Sequence, residues 1–325
     1  MIDTIYLEND IQDFSRSQKI IARIKPKRVI EIKSYQQIFN RKNQSFDLQK
    51  EKRSLILAKK HTNFFQKIKT NDSIGRGENY YFSLTLNCPF SCMYCFLSGI
   101  YRSANFLVFV NFEDFQKDIA KKIVTSNKKL CFFAGYDTDT LATNHLSFFL
   151  DDFYPFFQKF SNTLFEIRTK SNNISSLVDK KPLDNLVIAF SLNPEIVVQK
   201  IELQTPSLEN RLKAIKKLQD LNFQIGLRFD PIIYFENFEK EYENFFENIF
   251  SQIDSSKIHS ITLGTIRFPF KFYDNLKNQN SYPKFLSSIN GKTKNRISYK
   301  NSSQILKFCE NEISKYKVKN LFVHL

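Results

Sequence analysis

The chain has 325 residues with 42% hydrophobic content, enough for one large barrel-type domain or two ordinary ones. No apolar run reaches the roughly 18–20 residues of a membrane span, and the start "MIDTIYLENDIQDF" has neither the basic nor the apolar region of a signal peptide, so no membrane association is expected. Five cysteines in a chain this long make no disulfide scaffold, which points to a reduced, cytoplasmic protein, and the formal charge of +15 suits a polyanionic partner such as DNA. Abundant Lys, Asn, Ile and Phe with few Gly and no Trp is also what an A+T-rich coding sequence yields, so charge alone leaves the partner open.

Residues 1–79 are charged and mixed and read as an accessory region. Within them "FDLQKEKRSLILAKKHTNFFQKI" has apolar residues at helical spacing and predicts one amphipathic helix. "DSIGRGENY" (72–80) reads as a turn into the next unit, which spans 80–325. From there strands and helices alternate. "YYFSLTLN" predicts a strand and "FEDFQKDIAKKIV" a helix, then "KLCFFAG" a strand and "LSFFLDDFYPFFQKF" a helix. "TLFEIRTK" and "NLVIAFSLN" are strands, and "ISSLVDK" and "SLENRLKAIKKLQDL" the helices after them. "FQIGLRFDPII" and "HSITLGTI" are further strands on either side of the helical "FEKEYENFFENIFSQI", and "VKNLFVHL" offers a short last strand. That alternation implies βαβ units and a parallel sheet, either doubly wound or an incomplete barrel.

Unusual polar residues cluster just after the strands: Cys88, "GYDTD" at 135–139, "TKS" at 169–171, "SLN" at 191–193, "RFDP" at 228–231 and "GTIRF" at 264–268. Parallel α/β folds bind ligands at the carboxyl ends of their strands. Asp, Ser, Thr and Asn there can instead cap the following helices, but Lys170 and Arg228 cannot accept those N–H bonds.

"NCPFSCMYCFLSG" (87–99) places Cys88, Cys92 and Cys95 in a C-x3-C-x2-C spacing. Soft thiolates favour zinc or an iron–sulfur centre. A closed zinc site wants a fourth ligand, and no second CxxC or CxxH pair is present. Cys131, in an apolar strand, and Cys309, in a helical run, read as buried and inert.

The cysteine loop directly after a first barrel strand, with an aromatic between its second and third cysteines, resembles the radical S-adenosylmethionine superfamily. Together with "FLVFVNFEDF", "GYDTDTLATNHLS", "TKS", "FSLNPEIV", "ELQTPSLENRLKAIKKLQDLNFQIGLRFDPIIYFENFEKEY" and "LGTIRF", it resembles the spore photoproduct lyase family through nearly the whole chain. The resemblance implies a partial (β/α)6 barrel of the TIM type with a [4Fe–4S] cluster on Cys88, Cys92 and Cys95. S-adenosylmethionine would complete that cluster, held by Gly135, Thr138, Lys170, Ser191 and Asn193. The implied activity is a lyase reaction on a thymine-dimer lesion in DNA, started by a 5′-deoxyadenosyl radical, in a monomer fed electrons by a flavodoxin or ferredoxin. Tyr94 and Tyr136 are the catalytic candidates, and Phe96, Tyr101, Arg228, Arg267, Arg296 and Tyr299 the substrate contacts. One departure stands out: Tyr136 occupies the position where the family carries its hydrogen-donor cysteine. It leaves open a family enzyme with a non-DNA substrate, beside a non-catalytic, metal-stabilised nucleic-acid-binding protein.

Overall fold

The apolar runs that read as strands pair side by side in chain order. A computed structural model describes residues 2–324 except 40, 69–73, 75, 76, 278–285, 287, 293 and 294. Strands Glu78–Phe82, Leu130–Ala134, Leu164–Thr169, Leu186–Ser191, Gln224–Ile232 and Ile258–Thr265 are parallel neighbours in that sequence. Leu321–His324 extends the sheet in parallel at one edge, and Gln66–Lys67 adds an antiparallel strand at the other. The expected incomplete barrel is therefore present, with two free edges instead of closure.

Side chains alternate between the two faces of this sheet. Phe132, Phe165, Ile167, Ile188, Phe190, Leu227 and Phe229 join the main core beneath the helices. Cys131, Phe133, Leu164, Val187 and Ala189 form a separate small cluster on the other face. The main core is dominated by phenylalanine: the Phe153 ring alone lies within 6 Å of Phe82, Phe112, Phe149, Phe156 and Phe157. Each fully buried phenyl ring stabilises by roughly 1.5–3 kcal/mol.

The first part of the chain builds a second sheet. Thr4–Glu8 lies between Arg28–Ile32 and Leu55–Ala58, parallel to both. Phe106–Phe109 pairs in parallel with Leu55–Ala58, and Thr85–Leu86 closes the order in antiparallel. This sheet thus draws strands from both sides of residue 79. The single helix expected from residue 46 to 68 is instead a short helix, Phe46–Glu51, followed by the strand Leu55–Ala58. All four residues of that strand are buried, because it has a neighbour on each edge and cover on both faces. A continuous apolar run of that kind fits a helical stripe and a buried parallel strand equally well. Likewise, "LSFFLDDFYPFFQKF" contributes to two helices, Thr140–Ser147 and Phe149–Lys159, separated by Phe148 at φ 55°. The last expected strand, near the chain's end, is present. Of the expected turn at 72–80, residues 72, 73, 75 and 76 lie outside the described residues.

Candidate iron–sulfur and S-adenosylmethionine site

After Phe82 the chain crosses to the second sheet at Thr85–Leu86, and the cysteine loop starts there. Asn87, at φ 67°, makes the turn. Its side-chain amide donates to the carbonyls of Ser103 and Asn105 at 2.8 and 2.7 Å, and its own carbonyl accepts from the Thr138 hydroxyl at 2.7 Å. The two loops at the barrel rim are thereby tied together. Arg53, from the second sheet, donates to the Cys88 carbonyl. Ser91–Cys92 pairs in antiparallel with Glu202–Leu203, which sets Cys92 opposite Glu202.

Burial pushes all three thiols up in pKa, Cys92 to about 12. Buried thiols of this kind ionise on binding a metal, whose positive charge reverses the local preference. Arg53 and Lys170 supply positive charge beside the thiols: Arg53 acts on Cys88 and Cys95, Lys170 on Cys92 and Cys95. Among the described residues, no three His, Cys, Asp or Glu side chains are grouped to hold one metal ion. Three free thiols from one loop are the donor chemistry of a cluster whose irons each take one thiolate.

Beside the loop lies a buried charged group that sequence reasoning missed. The Glu202 carboxylate meets the Arg211 guanidinium at 2.7 Å and the Lys170 ammonium at 4.0 Å. It also accepts from the Tyr94 hydroxyl and, at 3.0 Å, from the Asn193 amide. Burial alone would raise the Glu202 pKa, but Lys170 and Arg211 outweigh it and hold the carboxyl below its ordinary range. Burial likewise opposes the Lys170 charge, and Glu202 and Cys92 more than restore it. Arg211 further donates to the Ser191 carbonyl at 3.0 Å and to the Thr205 hydroxyl at 2.6 Å. In the sequence Glu202 and Arg211 sit in a loop and on an ordinary amphipathic helix. Only their facing Lys170 marks them.

Several expected contacts have other partners. The Asn193 amide is held at both ends, by Glu202 and by the Tyr242 hydroxyl at 3.0 Å, so it props the carboxylate. Tyr94 is 7% exposed and supports Glu202 from the core rather than lining an open pocket. Arg228 is fully buried and makes a two-pronged pair with Glu166, at 2.7 and 3.1 Å, on the face of the sheet away from the helices. Its position at a strand end suggested a substrate contact, but period-two alternation turns it into the sheet's interior. Arg267 pairs with Asp230 at 3.0 Å. Tyr299 is buried, with its hydroxyl accepting from the Tyr234 backbone N–H at 3.3 Å. Arg296 lies on a small three-stranded sheet, partly exposed; residues 293 and 294 of the same basic stretch are outside the described residues.

At the second-strand loop, Gly135 has φ 80°, and a Cβ there would meet the Thr140 hydroxyl at 1.8 Å, so only glycine fits. Asp139 caps the helix at Thr140 and accepts from the Lys170 backbone N–H at 2.6 Å and the Thr169 hydroxyl at 2.7 Å. It braces the loop on which Lys170 sits. Tyr136 is 50% exposed. Its ring packs on Tyr81 at 4.4 Å between centroids and on Phe96 at 5.6 Å. Tyr101, behind it, bonds Asp137, whose own backbone N–H donates to Ser83 at 3.1 Å. Cys131 and Cys309 are fully buried, as expected.

A half-open α/β barrel of this kind is also the fold of the solved spore photoproduct lyases. One such structure superposes with a TM-score of 0.83 at 19% identity, covering 99% of this chain and 98% of the other. A second, a spore photoproduct lyase variant with bound AdoMet and dinucleoside spore photoproduct, gives 0.82 at 18%, with the same coverage. The sequence model of the family "Spore photoproduct lyase" matches residues 1–322, and the chain belongs to that family. Among curated relatives, spore photoproduct lyase of Bacillus subtilis (strain 168) is 24% identical over 215 residues, 66% of this chain and 63% of the relative. That of Geobacillus sp. (strain Y412MC61) is 24% identical over 201 residues, 61% of this chain and 59% of the relative. The matched stretches thus span between one half and two thirds of the curated relatives' length.

Proposed function

We propose that this chain is a radical S-adenosylmethionine lyase that repairs a thymine-dimer lesion in DNA. The observation that carries the reading is the cysteine loop backed by Lys170, Glu202 and Arg211 at the rim of a family-matched half-barrel. Cys88, Cys92 and Cys95 would hold a [4Fe–4S] cluster, and Lys170 would take the cofactor's carboxylate. When bound, the cluster and S-adenosylmethionine supply reductive formation of a 5′-deoxyadenosyl radical that takes a hydrogen atom from the lesion.

The protein's share is placement. Glu202 keeps Lys170 charged and stationary beside Cys92. Gly135 and Thr138 hold the second-strand loop against the cysteine loop, leaving Ser191 at the adjoining strand end. Tyr136, Tyr81 and Phe96 form an aromatic wall at the mouth, suited to a base taken out of the stack. Tyr136 would return the hydrogen atom to the product radical, its phenoxyl then being restored by one electron from the reductant and one proton from solvent. That reductant would be a flavodoxin- or ferredoxin-like carrier. Arg296, with Tyr101 behind the wall, would contact the lesion strand. The accessory region expected at 1–79 shares its sheet with Thr85–Leu86 and Phe106–Phe109 and lends Gln66–Lys67 to the barrel sheet, so residue 79 does not divide the two; we assign the chain to a cytoplasmic monomer. No helix among the described residues is long and apolar enough to cross a membrane.

The test is anaerobic reconstitution followed by reaction with S-adenosylmethionine, dithionite and lesion-bearing DNA. Restored thymine together with 5′-deoxyadenosine supports the reading. A protein that takes up no iron and leaves S-adenosylmethionine intact refutes it.

A further inference from the structure

The second sheet has its own ligand geometry. Its first strand, Thr4–Glu8, connects to a neighbour on one side, Arg28–Ile32, while the strand on its other side, Leu55–Ala58, leads on to Phe106–Phe109. Two adjacent parallel strands whose connections depart in opposite directions leave a crevice at their carboxyl ends, the usual ligand position in open α/β sheets. A cavity of about 580 Å³ lies there, lined by residues just past these strands. Lys33, Lys59 and Lys60 all line it, none within ion-pair distance of a carboxylate among the described residues; burial opposes the Lys60 charge, and Asp137 partly restores it. The Lys59 and Lys60 ammonium groups lie over the Phe14 and Phe109 rings, at 5.9 and 4.9 Å. On the acidic side, Asp10 is exposed, but Glu8 is buried and both its oxygens accept backbone N–H bonds, from Tyr35 at 2.5 Å and Lys59 at 2.8 Å.

One wall residue of the crevice also touches the first barrel strand. Gln66, on its wall, accepts from the Tyr81 hydroxyl at 3.0 Å, and Tyr81 stacks on Tyr136. A small nucleotide would want a glycine-rich turn for close approach of its phosphates. The first 74 residues contain no glycine. An extended polyanion that runs from the aromatic wall across the lysines fits both facts.

We infer that this crevice is a second nucleic-acid site, in which Lys33, Lys59 and Lys60 take backbone phosphates of the DNA flanking the lesion. The inference rests on the DNA-repair reading above. Sequence-independent phosphate binding appears as salt dependence, and the slope falls by about 0.9 for each duplex phosphate that the protein no longer neutralises. The experiment measures binding of a short undamaged duplex by fluorescence anisotropy across a salt series. The full chain is compared with Lys33→Ala, Lys33→Ala/Lys59→Ala and, as a control, the exposed Lys319→Ala.

The double variant is expected to bind on the order of tenfold more weakly with a shallower slope, and the single to fall between, while the control is unchanged. Circular dichroism confirms the fold, and Lys33→Ala keeps the test valid should the double variant not fold. Wild-type affinity and slope in the folded variants overturn the crevice site and leave the repair reading standing. A wild-type chain that binds no duplex overturns both. Saturable thymidine monophosphate binding lost in the double variant, with duplex binding unchanged, also overturns the inference by making the crevice a small-nucleotide site.

Discussion

Two buried carboxylates in this molecule invite comparison. Glu166 and Glu202 are both fully enclosed, and each meets an arginine at 2.7 Å. Around Glu166 the partners are Arg228 and Arg168, and the Arg228 guanidinium also donates to the Ser260 carbonyl and hydroxyl, at 3.0 Å each. Around Glu202 the arginine shares the carboxylate with Lys170, a tyrosine hydroxyl and an asparagine amide, directly across from Cys92. Both groups follow one rule: a buried charge persists only when paired and hydrogen-bonded. They differ in what remains to be satisfied. Arg228 is fully buried and the outer partner Arg168, 39% exposed, bonds back onto Glu166, whereas Lys170, 17% exposed, stands 4.0 Å from Glu202 at the rim beside the cysteine loop. Placement relative to the strand ends, not the chemistry of the pair, separates a structural group from one poised for a ligand.

The largest effect should come from the site itself. Cys92→Ala is expected to abolish cluster assembly and activity while circular dichroism and melting stay near wild type, because the loop lies at the rim. Global unfolding of that variant would contradict its peripheral place. Arg228→Leu is next. It leaves Glu166 buried without its main partner and should cost about 3–5 kcal/mol in chemical denaturation. If Arg228→Leu instead lowers activity at unchanged stability, the contrast between the two carboxylates fails.

Tyr94→Phe removes one charge-assisted hydrogen bond to Glu202 and should cost roughly 1.5–3 kcal/mol. Lys170→Ala should weaken S-adenosylmethionine binding on the order of tenfold, about 1.4 kcal/mol, with cluster formation retained. Calorimetry showing unchanged affinity removes Lys170 from the site. The smallest effect is acid sensitivity. Glu202 is held below its ordinary carboxylate pKa, so its contribution to stability is complete above that ordinary value and disappears as pH falls through the depressed one. Glu202→Gln should flatten the acid limb of the stability profile; an unchanged limb would show that Glu202 does not titrate with folding.

Much of the site is legible in the sequence. Three cysteines in one loop are a local pattern, and local patterns survive whatever the tertiary structure does. The same holds for Lys170 and Tyr136, placed by the strand that precedes each. Glu202 and Arg211 are not legible there, because their pair gains meaning only from Lys170, which reaches Glu202 from more than thirty positions away in the chain. Arg228 misleads for a related reason: position at a strand end is visible in the sequence, but which face a side chain takes depends on register. Leu55–Ala58 misleads because a short apolar run lacks the length to tell helix from strand.

The sequence by itself determined the alternation of strands and helices, and hence a parallel sheet, through hydrophobic periodicity and the limits of connection geometry. It also determined the donor chemistry, since thiolates at that spacing belong to few metals. Only the tertiary structure decided that a second sheet borrows Phe106–Phe109, that Glu202 sits opposite Cys92, and that three lysines share one crevice. Those are contacts between distant segments, set by which buried faces and unpaired strand edges find each other when the chain collapses, and no local pattern encodes them.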